Sequence, residues 1–206
     1  GYSKVTKVAK GVYAVEKDNR AALMNTSGQN IIDWTSAIIP LMDDYVQLIN
    51  NKRECAIFRI STKKMITGYD FEWVYTPDVY GLVKVRINRF DGDRLLKLVG
   101  DKFYVAGRLS EGFYSITDSK TKKMGVMTKE GKILVSPKYD EVGDFMNGMC
   151  RVWIMEKGNG FINTSGTLII PCKYPYVLDF GSIEGVKNYT QVWDNWGNSY
   201  YIDKKG

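Results

Sequence analysis

The fold of this chain is best read from the stretch Gly125-Val-Met-Thr-Lys-Glu-Gly131-Lys-Ile-Leu-Val-Ser-Pro137-Lys-Tyr139, which is followed by Gly160-Phe-Ile-Asn-Thr-Ser-Gly166-Thr-Leu-Ile-Ile-Pro171-Cys-Lys-Tyr174. Both stretches contain a glycine, a short apolar strand, a polar turn closed by glycine, a second apolar strand, a proline and an aromatic residue. Weaker copies occur at residues 23–32 and 201–206. Such repetition is typical of repeat proteins, in which each unit completes its core with its neighbours.

Two sets of anchor residues give the period of this repeat. The first set is the aromatic residue of each unit, at Tyr2, Trp34, Tyr69, Phe103, Tyr139 and Tyr174. The second set is a glycine that opens another strand, at Gly11, Gly81, Gly112 and Gly148. We therefore expect about six partial units of about 35 residues each. Together they are predicted to form a single repeat domain over residues 1–206.

The pattern within a unit predicts three strands. After Gly148, for example, apolar and polar residues alternate, which is typical of a strand with one buried face. Pro171 is expected to end the third strand, because proline cannot donate a ladder hydrogen bond. Residues 40–49 fit either a short helix or a strand. The predicted fold is all-β, an open twisted array of three-stranded β-meander units. Propeller-like closure is the alternative, although a propeller blade normally has four strands.

The same pattern resembles the WG-repeat family of bacterial β-repeats. The resemblance is carried by residues 124–185, and within them best by Lys138, Tyr139, Asp140, Glu141, Phe145 and Gly148. The Trp-Gly pair that names the family occurs once, at Trp196-Gly197. Elsewhere its place is taken by Met124-Gly125 and Asn159-Gly160. The resemblance implies a β-repeat scaffold, and it carries over no catalytic residue.

The charge and hydropathy of the chain limit its partners. Its 29 basic and 23 acidic residues give a net charge of +6, and the lysines gather at turns along the whole array. This favours solvated turns over a nucleic-acid surface, which needs basic residues on one face. No apolar run is long enough for a membrane-spanning helix. The chain starts at Gly1 without a signal peptide, and we still expect a bacterial cell-envelope or secreted location over a cytoplasmic one.

The residues of catalysis and metal binding are scarce. The chain has no histidine, which removes the commonest general base and metal ligand. Its three cysteines lie in no metal-ligand spacing and are expected to be free thiols. Neighbouring carboxylates occur at Asp43-Asp44 and at Asp91 and Asp93, and a hydrolase is the third-ranked function. We expect no enzyme, no metal and no cofactor.

One candidate binding group is the segment Trp193-Asp194-Asn195-Trp196. Two tryptophans around a polar pair could stack on a sugar ring and bond its hydroxyls. The alternative is a hairpin turn whose tryptophans cover the end of the array. This group and the excess of Trp and Tyr motivate the second function hypothesis, a module that binds carbohydrate or cell-envelope glycan.

The other candidate group consists of Lys84, Arg86, Arg151 and Trp153, on the outward positions of the strands that follow Gly81 and Gly148. Arg and Trp are favoured anchors of protein interfaces. The alternative is a solvated sheet face. The leading hypothesis is a non-enzymatic scaffold that binds a protein or peptide partner of unknown identity.

Overall fold

The computed structural model describes residues 1–42 and 44–206 of the chain. These residues form 22 β-strands and no helix, so no helix among them could cross a bilayer. The chain divides into two compact halves, Gly1–Phe103 and Tyr104–Gly206. The expectation of a single domain stays a prediction, and the two halves are described separately.

The N-terminal half contains three meanders. Meander 1 comprises β1 (Lys4–Ala9), β2 (Val12–Lys17), β3 (Arg20–Asn25) and β4 (Asn30–Thr35). Meander 2 comprises β5 (Ala37–Met42), β6 (Tyr45–Ile49), β7 (Cys55–Arg59) and β8 (Lys64–Met65). Meander 3 comprises β9 (Trp73–Val74), β10 (Leu82–Asn88) and β11 (Gly92–Val99).

The C-terminal half contains three more meanders. Meander 4 comprises β12 (Lys102–Ser110), whose first two residues belong to the N-terminal half, β13 (Phe113–Asp118), β14 (Met124–Thr128) and β15 (Ile133–Tyr139). Meander 5 comprises β16 (Glu141–Met146), β17 (Met149–Ile154), β18 (Gly158–Asn163) and β19 (Leu168–Tyr174). Meander 6 comprises β20 (Tyr176–Val177), β21 (Tyr189–Trp193) and β22 (Ser199–Asp203).

Within every meander each strand pairs antiparallel with the next strand along the chain. None of the sheets formed by the described residues closes on itself. The all-β repeat fold is confirmed, and within the candidate helix of the sequence analysis residues 40–42 lie on β5 and residues 45–49 on β6. Four of the meanders have a strand that the sequence pattern did not reveal, before the strand-opening glycine. In meander 5 this strand is β16. It begins one residue after β15, the last strand of meander 4, with Asp140 alone between them, so no turn glycine marks its start.

The third strand of the sequence pattern does not end at its proline, which corrects the expectation for Pro171. β15 and β19 continue through Pro137 and Pro171 to the aromatic anchors Tyr139 and Tyr174. Each is the last strand in the consecutive order of its meander, with its neighbour in that meander on one side only. A proline whose missing N–H faces away from the ladder is tolerated in such a strand.

A bulge explains Gly125 and Gly160, the first glycines of the two repeat stretches. On β18, Asn159 and Phe161 pair with Tyr174 and Ile170, so three residues of β19 lie opposite Gly160. A Cβ on Gly160 would collide with the carbonyl oxygen of Ile170. The same register shift places Gly125 under β15. The backbone of the bulging strand therefore occupies the space of a side chain.

The turn after this strand is capped by a side chain, as the sequence predicts. Asn163 Oδ1 accepts the backbone N–H groups of Ser165 and Thr167, both at 3.0 Å. Gly166 occupies the left-handed region, with φ at +79°. Asn25 makes the same two bonds in meander 1. A side chain that satisfies the turn's own backbone fixes the hairpin locally.

Within the C-terminal half, the core lies between successive meanders. One cluster joins Val126 and Val135 of meander 4 to Phe145, Val152 and Ile162 of meander 5. Tyr139, at the junction of the two, is 1% exposed and belongs to the same cluster. The aromatic anchor therefore seals two units together, as repeat architecture requires.

Candidate functional site

The outward face of meander 3 brings cations and aromatic rings together. Lys84 and Arg86 are two residues apart on β10 and share one face, because side chains of a strand alternate. Trp73 on β9 pairs with Arg86, and Asp93 on β11 pairs with Arg86 from the other side. Tyr75, just after β9, bonds its backbone N–H to Lys84 O at 2.9 Å. We call these five residues the β9–β11 face.

The side chains of this face hold each other in place. Asp93 accepts Lys84 Nζ at 2.7 Å on one oxygen and Arg86 Nε at 3.0 Å on the other. The two cations lie 5.2 and 5.9 Å from the centre of the Tyr75 ring. Hydrogen bonds from Lys84 and Arg86 lower the pKa of Asp93, so the ion pairs persist at neutral pH. Lys84 and Arg86 keep about half of their side chains in solvent, and Trp73 is 51% exposed.

Arg151 on β17 has a different environment. Its guanidinium bonds Glu141 Oε1 at 2.5 Å and Asn159 Oδ1 at 3.2 Å, and lies 3.6 Å from Asp179 Oδ1. Burial raises the pKa of Asp179, and the nearby guanidinium opposes that rise. Arg151 is therefore half-buried among partners of meanders 5 and 6 rather than displayed on an open face.

The second predicted group is thus divided between two places. Lys84 and Arg86 belong to meander 3, whereas Arg151 and Trp153 belong to meander 5, and meander 4 separates them along the chain. Trp153 pairs with Glu141 and Asn159 on its two neighbouring strands. The sequence did not select Trp73, Tyr75 or Asp93 as binding residues. Their pairing partners on β10 become visible only once the register is known.

The Trp193–Trp196 segment forms a capped turn of the kind already described. Asp194 Oδ1 accepts the backbone N–H groups of Trp196 and Asn198, both at 2.9 Å. Its Oδ2 accepts Asn198 Nδ2 at 3.0 Å and the Tyr200 hydroxyl at 2.9 Å. The hydrogen bond from Asn198 is the largest cause of the lowered pKa of Asp194. Both carboxylate oxygens are therefore occupied by the turn itself.

The aromatic residues of this segment point to different surroundings. Trp193 lies at the end of β21, pairs with Tyr176, and lines an open apolar concavity of about 350 Å³ together with Val177 and Leu178. Trp196 stands at the tip of the turn and is 86% exposed. Asn195 precedes it in the same turn. The spacing from Asp194 to Gly197 matches that from Asn163 to Gly166. The sequence therefore contained a signal that this segment is a capped turn.

The carboxylates considered for hydrolysis are engaged in local structure. Asp44 accepts Arg59 Nε at 2.7 Å and the Ser61 hydroxyl at 2.5 Å. Asp91 accepts the side-chain amide of Asn88. Asp43 lies outside the described residues. Within the described residues, no three His, Cys, Asp or Glu side chains are grouped to hold a metal ion.

The three thiols form no disulfide; Cys55 and Cys150 are buried and Cys172 is partly buried. Cys55, Cys150 and Cys172 are free cysteines, as the sequence predicts. Burial raises the pKa of Cys150 to about 12, and burial also raises the pKa of the other two thiols. A thiol with a raised pKa is a poor nucleophile at neutral pH.

A polar groove of about 500 Å³ lies elsewhere in the N-terminal half. Its lining mixes both charges with apolar rings, from Lys52, Arg53, Glu54, Tyr69, Asp70, Phe71, Glu72 and Ile87. Arg53 occupies the left-handed region, with φ at +65°, at the place where other turns have glycine. The sequence did not predict this groove, because it forms between the second turn of meander 2 and the approach to β9.

The chain was compared with curated proteins, with solved structures and with protein-family profiles. No curated protein matches the chain. Among solved structures, the extracellular domain of a hybrid two component system from B. thetaiotaomicron is 13% identical, with 99% of this chain and 38% of that chain covered and a TM-score of 0.29. BamB from Moraxella catarrhalis is 10% identical, with 95% and 80% covered and a TM-score of 0.31.

PorZ, a surface component of the type-IX secretion system of Porphyromonas gingivalis, is 11% identical, with 98% of this chain and 33% of that chain covered and a TM-score of 0.24. This chain therefore spans about two fifths or less of the first and third of these structures. The family profile described as WG containing repeat matches residues 124–152 and 160–186. These two segments, which include β14 and β18 with their glycines under a bulge, are WG containing repeats, as the sequence pattern predicts.

Proposed function

We propose that this protein is a non-enzymatic scaffold that binds a protein or peptide partner through the β9–β11 face. The observation that carries the proposal is the pair Lys84 and Arg86, held over the Tyr75 ring by Asp93 beside the half-exposed Trp73. Arg, Trp and Tyr dominate the binding energy of protein interfaces. Side chains that are already fixed lose little rotamer entropy on binding.

The charge of the face defines the partner. Two cations share one carboxylate, so the face carries a net positive charge and suits a partner segment with a carboxylate beside an apolar anchor. Arg86 is the side chain whose guanidinium can form a bidentate pair with such a carboxylate.

Glycan binding is less well supported than peptide binding, and it is one of the outcomes that the experiment below distinguishes. A sugar site at Trp193–Trp196 would need Asp194 to bond hydroxyls, and both oxygens of that carboxylate are already used by the turn. The expected cell-envelope or secreted location also stays a proposal, to be checked by fractionating the source cells.

The test uses a displayed library of random peptides and a glycan array, probed in parallel with the whole chain. We expect acidic peptides with an apolar anchor to be selected. Their affinity should fall by about tenfold or more in the double variant Trp73→Ala/Arg86→Ala, because each anchor of this kind contributes over about 1 kcal/mol. Phe90→Ala, which removes an exposed ring in the turn after β10, is the matched control. Peptide binding unchanged by the double variant would refute the proposal, and so would selective glycan binding without peptide binding.

A further inference from the structure

The two ends of the meanders in the C-terminal half differ. In each of these meanders, the first turn joins the first and second strands, and the second turn joins the second and third strands. The first turn of one meander contacts the first turn of the next meander along the chain. Glu111 accepts the backbone N–H groups of Asn147 at 2.7 Å and Gly148 at 2.8 Å. Asn147 Nδ2 in turn donates to Phe180 O at 3.1 Å. The three first turns therefore lie together. β13, β17 and β21 run from them, so the three second turns lie together at the opposite end.

Contacts at that opposite end confirm the row of second turns. Lys123 Nζ, in the second turn of meander 4, bonds Asp140 Oδ1 at 2.5 Å. Asp140 Oδ2 accepts the backbone N–H of Met155, in the second turn of meander 5, at 2.9 Å. The row continues to meander 6 through Asn159, just after the second turn of meander 5, whose Nδ2 donates to Pro175 O at 2.9 Å. Pro175 precedes Tyr176, which pairs with Trp193 just before the turn at Trp196.

Apolar side chains protrude from this row. Met155 is 60% exposed, Tyr176 is 72% exposed, and Trp196 is the most exposed of the three. The backbone N–H of Met155 is held by Asp140 and that of Trp196 by Asp194, so the tips are anchored from below.

Exposed lysines lie on the second turns of meanders 4 and 5. Lys120, Lys122 and Lys157 are exposed, and Lys122 Nζ donates to Ser119 O at 2.8 Å. The carboxylates at this end are turned inward: Asp140 binds Lys123 and Met155, and Asp194 binds its own turn. Asp118 accepts two backbone N–H groups of its own turn, and Glu156 carries the remaining negative charge.

We infer that this row of second turns docks the C-terminal half on an anionic lipid surface, with Met155, Tyr176 and Trp196 entering the headgroup region and Lys120, Lys122 and Lys157 contacting lipid phosphates. Charge complementarity favours this occupant, because the three exposed lysines of these turns outnumber the exposed Glu156, while Asp118, Asp140 and Asp194 are engaged by protein hydrogen bonds. Tryptophan and tyrosine prefer the membrane interface. Lysine stems cover apolar surface while their ammonium groups reach phosphate.

The experiment measures binding of the whole chain to vesicles of phosphatidylglycerol and phosphatidylcholine by co-sedimentation. We expect binding to the mixed vesicles and little binding to pure phosphatidylcholine. Each lysine near an anionic surface contributes a factor of about five, so Lys120→Glu/Lys157→Glu should weaken binding by over about tenfold. Met155→Ser/Trp196→Ser should weaken binding to a similar degree at both low and high salt, since burial of apolar side chains is insensitive to screening.

Trp73→Ser is the matched control, because it removes a half-exposed tryptophan from a sheet face of the other half. It should bind vesicles like the wild type while losing the peptide binding proposed above, so the two proposals fail separately. Equal binding to phosphatidylcholine, or binding unchanged in Met155→Ser/Trp196→Ser, would overturn the inference. Binding of soluble polyphosphate as tight as vesicle binding would also overturn it, since that outcome indicates a polyanion site without lipid contact.

Discussion

Replacing Gly160 by alanine tests the bulge that defines the repeat. The added Cβ would collide with the carbonyl oxygen of Ile170, and it would lie 2.7 Å from the backbone nitrogen of Cys172 and 2.8 Å from the carbonyl carbon of Pro171. All three atoms belong to the backbone of β19 and cannot rotate away. β18 and β19 must therefore separate at this point.

The cost follows from three terms. Overpacking of this kind costs about 1–3 kcal/mol. Weakening one ladder hydrogen bond adds about 1 kcal/mol, and the lower entropy of alanine in the unfolded chain returns about 0.5 kcal/mol. We expect Gly160→Ala to lower the free energy of unfolding by about 2–3 kcal/mol. For a unit of about 100 residues, this corresponds to a fall in Tm of about 10 °C or more.

The assay is urea unfolding of the full chain together with calorimetry. Gly143→Ala is the control, because Gly143 lies on β16 of the same meander and its Cβ would meet Arg151 atoms at an ordinary 3.6 Å. The control should be neutral or up to about 0.5 kcal/mol more stable than the wild type. The reasoning fails if the two variants unfold within about 0.5 kcal/mol of each other.

Four further substitutions test separate parts of the fold. Tyr139→Phe should raise stability by about 1 kcal/mol in urea unfolding, because the buried hydroxyl has no hydrogen-bond partner in the described residues; a loss would contradict this. Arg53→Gly should also raise stability by about 1 kcal/mol by relieving a left-handed backbone, and an unchanged midpoint would count against it. Gly166→Val should lower Tm further than Thr167→Val, since a Cβ on Gly166 is strained by its φ and crowds Val135; equal Tm values would be inconsistent with the turn assignment. Hydrogen bonds from Lys64, Thr62 and Arg59 lower the pKa of Asp101, so its contribution is present above about pH 4 and is lost as pH falls further; the stability gap between wild type and Asp101→Asn should close in strong acid, and a constant gap would contradict the linkage.

Much of the fold could be predicted from the sequence because its signals are local. The turn from Asn163 to Gly166 depends on its own residues, and the alternation after Gly148 depends on one buried face. The strand β16 was missed because it follows β15 after a single residue, without a turn signal. The continuation of β19 beyond Pro171 depends on which neighbour the strand has, and that information is not local.

The candidate sites were predictable only in part for the same reason. The sequence selected Lys84 and Arg86 by their outward positions on one strand. Their partners Tyr75 and Asp93 lie on neighbouring strands, and the cross-strand register brings them together. Arg151 was expected to face solvent, but Asp179 from the following meander covers it. A residue's exposure in a repeat depends on the next unit as well as on its own strand.

The consecutive strand order has a consequence for how the chain folds. Because every strand within a meander pairs with its immediate sequence neighbour, each pairing closes only a short loop. Proteins with mostly local contacts fold faster than sandwiches and barrels that pair distant strands. The side-chain caps at Asn25, Asn163 and Asp194 stabilise these short hairpins through bonds within each turn. Each meander can thus serve as a template on which the following one assembles, in the order in which a ribosome would deliver them.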